Sequence, residues 1–204
     1  MAEESRNIVL DLGNVSLEED LGTYYIDMTP AEIHYTQNIW GGCFDDNGVP
    51  MVMSSKGLYY FATNIAQYCF ILISKYYRSK DDESLNKLRC CIDVLQKEKT
   101  EDAYTVRWIQ NNDFERYNIK APWVSSMAIG EVMSVFLRMY QIEGDESYLN
   151  IAKKAYEFLK IDVADGGVRR LDENGYLWFE EYPSDPPSYV LNGFIYTLFG
   201  LYDL

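Results

Sequence analysis

Trp123-Val124-Ser125-Ser126-Met127-Ala128-Ile129-Gly130-Glu131-Val132-Met133-Ser134-Val135-Phe136-Leu137-Arg138-Met139-Tyr140-Gln141 is apolar on nearly every side of a helical wheel. A helix of that kind is buried on both sides. Asp145-Glu146-Ser147 follows, and then Tyr148, Ile151, Ala155, Phe158 and Leu159 fall on one stripe. The three- and four-residue spacings mark an outer helix with one covered face, and the acidic and hydroxyl residues before it supply N-cap oxygens.

The same pair occurs upstream. Asn64–Tyr77 is apolar all round, and Asp82-Glu83-Ser84 opens a helix with Leu85, Leu88, Ile92 and Leu95 on its stripe. The two openings lie 63 residues apart, as do Gly130 and Gly193, and Lys75 and Arg138. A third all-apolar segment, Tyr189–Leu204, stands one period further on, with no outer helix after it. Inner and outer helices at a fixed period predict a mainly α fold, an α/α barrel or toroid of helix hairpins, here incomplete. Inner helices are expected over 64–78, 123–142 and 189–204, and outer helices over 82–97 and 146–160. Short strands are expected over 104–109, 167–171 and 176–180, with Asn174-Gly175 as the turn of a hairpin. In a toroid such insertions sit at one mouth and build the cleft. Residues 1–20 read as an acidic arm, and 21–204 as the partial barrel domain.

Composition narrows the function. The 204 residues carry 18 Lys and Arg against 32 Asp and Glu, a net charge of −14, which disfavours nucleic acid as a partner. Apolar residues make up 48%, which excludes wholesale disorder. The longest apolar runs contain Asn and Thr and fall short of the roughly 20 residues a membrane span needs. With no signal-like segment at Met1-Ala2-Glu3-Glu4-Ser5, a cytoplasmic location or an excised fragment is the expectation. A single histidine, His34, and four cysteines without a C-x-x-C leave no metal site in view, and the cysteines read as buried free thiols. Eighteen tyrosines, 9 Phe and 4 Trp suit carbohydrate surfaces as well as cores.

The densest constellation of chemistry-bearing residues is Trp178-Phe179-Glu180-Glu181-Tyr182-Pro183-Ser184-Asp185-Pro186-Pro187-Ser188-Tyr189. Two carboxyls and a phenol stand before a proline-stiffened loop that leads into the third inner helix. Glu180–Pro183, Pro187–Phe194 and Gly200–Leu204 together resemble the C-terminal domain of D-glucuronyl C5-epimerases. Gly48-Val49-Pro50, Asn64–Tyr68 and Ala121–Ala128 agree in order, so the resemblance covers roughly residues 45–204. It implies an α/α barrel that inverts glucuronate to iduronate in a heparosan-type acidic polysaccharide, with no cofactor. By the same resemblance Tyr182 matches a catalytic tyrosine and Glu181 its proton-transfer neighbour. Glu180, Lys120, Trp123 and Asn192 are expected substrate contacts. Family members continue past the Gly200–Leu204 motif with two more tyrosines and an arginine. The chain as it stands is therefore expected to be a weak or inactive catalyst, and its uncovered third helix is expected to drive self-association. A uronate lyase of the α/α-barrel type and a non-catalytic glycan-binding remnant are the competing readings.

Overall fold

The computed structural model describes residues 9–13, 15, 17–37 and 41–204. The protein is mainly α, with small antiparallel sheets. The chain divides into two compact units, one ending at Lys97 and the other beginning at Glu98.

In the first unit β1 (Asp11–Leu12) pairs with β2 (Ile26–Asp27), and a 3₁₀ turn at Thr29–Ala31 leads into the short α1 (Glu32–Thr36). The expected acidic arm over 1–20 thus falls partly outside the described residues. β3 (Gly42–Phe44), β4 (Pro50–Ser54) and β5 (Gly57–Tyr59) form a three-stranded meander. α2 (Ala62–Ser79) carries Ile65, Cys69, Phe70, Ile71 and Ile73 at full burial. Aromatic residues from the preceding 60 positions carpet it. Tyr24 stacks on Phe70 at 3.6 Å between ring centroids, and Tyr35 and Phe44 lie 5.1 and 5.2 Å from Tyr68. α2 stops at Lys80, which adopts the left-handed conformation with φ 51°. α3 (Asp82–Glu98) is capped one residue earlier than its sequence suggested, by Asp81, which accepts from Glu83 N and Ser84 N. Of the four free cysteines Cys69 and Cys91 are buried and Cys43 and Cys90 half-buried; burial pushes the Cys69 thiol up.

In the second unit β6 (Thr100–Glu101) pairs with β7 (Val106–Arg107), and β8 (Ile109–Gln110) with β9 (Trp123–Val124). The single strand expected over 104–109 is therefore two. Trp108 is the break between them, its side chain sunk against Phe136 at 6.2 Å. The inner helix expected from 123 begins only at Ser126, because Trp123 and Val124 hydrogen-bond to β8. Ser125 then caps α4 (Ser126–Glu143), its Oγ accepting from Ala128 N at 3.3 Å. α5 (Glu146–Leu159) packs on α4, and its N-cap Asp145 accepts from Ser147 N at 2.8 Å. β10 (Arg169–Leu171) and β11 (Leu177–Phe179) make the expected hairpin. Its turn is wider than an Asn-Gly pair. Asp172 Oδ1 accepts from Asn174 N and Tyr176 N, and Gly175 takes φ +83°.

α6 (Leu191–Asp203) departs most from its sequence pattern. Its buried positions are the small ones, Gly193, Thr197 and Gly200. They let α6 press against α4. A Cβ at Gly130 would stand 2.5 Å from Thr197 Cα, and one at Gly200 would stand 2.3 Å from the Gly130 carbonyl oxygen. Thr197 Oγ1 and Ser126 Oγ are hydrogen-bonded at 3.0 Å across the crossing. Close backbone approach thus replaces side-chain interdigitation, and the bulky Leu191, Ile195, Leu198 and Tyr202 are left exposed on one stripe. An inner helix covered on both sides is not what α6 is. The described elements close no barrel, and no helix among them is long and apolar enough to cross a membrane.

Candidate active site

Leaving β11, the chain passes through Glu180, Glu181 and Tyr182 into the proline loop, and each of the three side chains has a different surrounding. Glu180 has no exposed surface. Its Oε2 accepts from Ser188 Oγ at 2.8 Å and Tyr189 N at 3.2 Å, and its Oε1 lies 3.1 Å from Arg170 Nε. The Arg170 guanidinium also donates to the Ser184 carbonyl at 2.9 Å. Glu180 therefore ties both ends of the proline loop together. Its backbone is fixed as well, N donating to Val168 O at 2.7 Å and O accepting from Ser126 N at 3.2 Å. Tyr189, held at φ 45°, is a rare left-handed conformation for an aromatic residue, and the Glu180 carboxylate supports it through that hydrogen bond. The side chain expected to touch substrate is thus internal, holding the loop that carries Tyr182.

Glu181 is 7% exposed, and Gly193 of α6 lies against its side chain. Burial raises its pKa, and a hydrogen bond shared with the Tyr182 hydroxyl partly opposes the rise. Tyr182 is half-buried in an aromatic cluster. Its ring centroid lies 4.8 Å from Phe114, 4.6 Å from Tyr117 and 5.7 Å from Trp123. Phe114 and Tyr117 are 5.7 Å apart. Were they to sandwich Tyr182 they would stand nearly twice as far from each other, so both cover the same side of its ring. The phenol is held well above its ordinary pKa, first by burial, then by its hydrogen bond to Glu181 and that group's charge, with Tyr117 adding and Arg116 opposing. The Arg116 guanidinium lies 5.6 Å from the Tyr117 ring centroid.

The other expected contacts are scattered around this pair. Trp123 Nε1 donates to Asn112 O at 2.9 Å, and its ring belongs to the cluster around Tyr182. Lys120 is largely exposed and ion-paired to Asp113 at 2.9 Å, which raises its pKa. Lys120 and Trp123 line a cleft of about 410 Å³ together with, among others, Pro183, Ser184 and Asp185, next in the chain to Tyr182. Asn192 is exposed on the first turn of α6, one residue before Gly193. Sequence reasoning overlooked Phe114 and Tyr117. Their only signal was aromatic spacing in a polar loop, and Tyr117 sits in a 3₁₀ turn, Glu115–Tyr117, that no periodicity marks.

The sign of the Glu181 shift has a measurable consequence. A carboxyl whose folded pKa exceeds its unfolded one binds more protons when folded, so stability falls as pH rises from the ordinary glutamate value through the folded value. Glu181→Gln removes that term. Its stability relative to the parent is expected to improve as pH rises from 3 to 7 and to level off above the folded value. Urea melts across that range test this, and a difference independent of pH would exclude the raised pKa.

A shielded carboxyl beside a half-buried phenol walled by aromatic rings, with a guanidinium nearby, is an arrangement able to exchange protons with a bound group. The family profile described as D-glucuronyl C5-epimerase C-terminus matches residues 101–204, and the chain belongs to that family. A D-glucuronyl C5-epimerase of Caenorhabditis elegans is 46% identical over 97 residues, 47% of this chain and 16% of that protein. An uncharacterized protein of Methanocaldococcus jannaschii is 37% identical over 91 residues, 43% of this chain and 30% of the other. The aligned part is thus under a third of the length of either relative.

Proposed function

We propose that Glu181 and Tyr182 form the proton-transfer pair for one face of a uronyl C5-epimerase, acting on glucuronate in a heparosan-like polymer. The observation that carries the reading is the pair itself, a shielded carboxyl next to a half-buried phenol in an aromatic cluster, with both pKa values raised by burial. A phenol so hard to ionise is a poor stand-alone base, and a relay removes the difficulty. The C5–H bond breaks and its proton goes to the Tyr182 oxygen, while Tyr182 passes its own proton to the Glu181 carboxylate. The electron pair stays at C5, delocalised into the adjoining carboxylate of the sugar. No free phenolate forms beside a carboxylate, and the raised Glu181 pKa favours its taking the proton. The reverse sequence returns a proton to C5. Arg116 and Lys120 offer positive charge to the sugar carboxylate, working locally against the chain's net charge of −14.

Inversion needs a second donor on the opposite face of the sugar, and this reading places only one pair. The expected activity is slow C5 hydrogen exchange with retention, and slower formation of iduronate. In heavy water, deuterium entering C5 of a de-N-sulfated heparosan-type polymer tests it. A folded chain that incorporates none between pH 5 and 8 would refute the reading, and an unsaturated, UV-absorbing uronate would replace it with a lyase.

We also propose that the helix hairpins belong to an α/α toroid, and that the exposed stripe of α6 seats a second copy of the chain. Leu191, Ile195, Leu198 and Tyr202 recur at helical spacing and stand 60, 38, 40 and 58% exposed. One stripe presented by two copies is self-complementary about a two-fold axis. Sedimentation should show a concentration-dependent dimer that the pair Ile195→Glu and Leu198→Glu converts to monomer. A parent chain that stays monomeric at high concentration would rule the pairing out.

A further inference from the structure

We propose that Gly193 is a positioning residue for the Glu181–Tyr182 pair: its missing Cβ lets the first turn of α6 close on Glu181 and hold the carboxyl against the Tyr182 hydroxyl. The proposal rests on the acid–base reading of that pair. Backbone conformation gives no reason for glycine here, because residue 193 is helical and is not among the glycines with positive φ. The reason is steric. A Cβ at 193 would lie 2.2 Å from Glu181 Oε2, 2.4 Å from Glu181 Cβ and 2.8 Å from its Cδ. Turning the carboxyl away would relieve the first and last contacts only. The Cβ–Cβ contact can be relieved only by moving backbone.

Which backbone would move follows from what holds each side. α6 is fixed to α4 by the Thr197–Ser126 hydrogen bond and by the Gly130–Gly200 approach, and Thr197 Oγ1 also donates to the Gly193 carbonyl at 2.8 Å. Ser126 N holds the Glu180 carbonyl on the other side. Residue 181 lies between these anchors, with the Tyr182 carbonyl held beyond it by Ser184 N at 2.7 Å, and is the part able to yield. Glu181 Oε2, shielded from solvent and facing Gly193, makes no hydrogen bond within the chain. Its place is set by packing, so a change of shape at 193 acts on it directly. Any side chain at 193 therefore pushes the carboxyl toward solvent and loosens its contact with Tyr182. The charged and titratable groups bearing on the pair are Tyr117 and Arg116 from the loop between β8 and β9.

The test reads the titration of Glu181 by ¹³C NMR of the chain with labelled glutamate carboxyls, the signal being assigned by its loss in Glu181→Gln. In Gly193→Ala the midpoint should fall toward the ordinary glutamate value, and C5 exchange should drop at least tenfold through kcat rather than KM. A folded Gly193→Ala chain with the parental midpoint would overturn the proposal. If Gly193→Ala folds poorly, the pair Glu181→Gly and Gly193→Ala decides. Gly193→Ala should lower Tm in the parent and not in the Glu181→Gly background. An equal loss in both would mean that the glycine serves helix packing alone, and the proposal would fall. A shifted midpoint in a chain whose parent exchanges no C5 hydrogen would uphold the positioning and refute only the catalytic reading.

Discussion

Tyr182→Phe should lower C5 hydrogen exchange by about 10²- to 10⁴-fold, the usual contribution of a positioned acid–base group, while the chain keeps its fold. The phenylalanine ring retains the contacts that Tyr182 makes with Phe114, Tyr117 and Trp123. Only the hydroxyl is lost, and with it the relay from C5 to Glu181. Activity alone would not separate a lost proton carrier from a displaced loop, but Glu181 supplies a second readout. The Tyr182 hydrogen bond holds the Glu181 pKa down against burial. Removing it should raise the Glu181 midpoint further, opposite in direction to the effect of a side chain at 193. Exchange that persists at the parental rate in Tyr182→Phe would end the case for the hydroxyl. Lost exchange with an unchanged Glu181 midpoint would show that the two groups are not coupled, and the relay would have to be abandoned for a direct role of either one.

Much of the fold was legible because the period of the hydrophobic pattern is a strong signal. The helices expected over 64–78, 82–97 and 146–160 are Ala62–Ser79, Asp82–Glu98 and Glu146–Leu159. What sequence could not supply was partner choice. Trp123 and Val124 fit the apolar run of α4, yet pairing with Ile109 and Gln110 keeps them extended. On α6 the pattern implied burial all round, whereas close approach at Gly130 and Gly200 selects the small-residue face and leaves the large one outside. The candidate site shows the same limit. Glu181 and Tyr182 stand adjacent in the sequence, and their contact is local. That Glu180 turns inward to Arg170 and Ser188, and that Phe114 and Tyr117 arrive from a loop some 65 residues earlier, depends on tertiary contacts that no spacing encodes. The 63-residue match of Lys75 and Arg138 was real as a pattern but conceals different surroundings: Lys75 pairs with Glu32 at a half-exposed position, and Arg138 is fully buried.

That buried arginine carries the largest expected effect on stability. Arg138 of α4 meets Asp203, the last residue of α6, at 2.6 Å, and both side chains have no exposed surface. The guanidinium also donates to the Ser134 carbonyl at 3.1 Å. The C-terminal end of a helix repels a carboxylate through its dipole, so Asp203 stands where its charge is least favoured unless a cation meets it. Arg138 meets it and in doing so anchors the end of α6 on α4, beyond the Gly130–Gly200 contact. Removing one partner leaves the other charge buried without this counter-ion, a change that typically costs about 3–5 kcal/mol. Against a total stability of about 5–15 kcal/mol, Arg138→Met alone should bring the chain close to unfolding at 37 °C. Asp203→Leu should be nearly as damaging, since it takes the counter-ion away from the guanidinium. Replacing both, as Arg138→Met with Asp203→Leu, leaves no orphaned charge and should recover most of the loss. Equilibrium urea unfolding of the four chains gives the coupling directly. Additive losses in the double variant would show that the two groups do not act as a pair. A recovered double variant in which the end of α6 exchanges its amide hydrogens faster would instead separate the two contributions, burial of charge and anchorage of the helix end, that the single substitutions remove together.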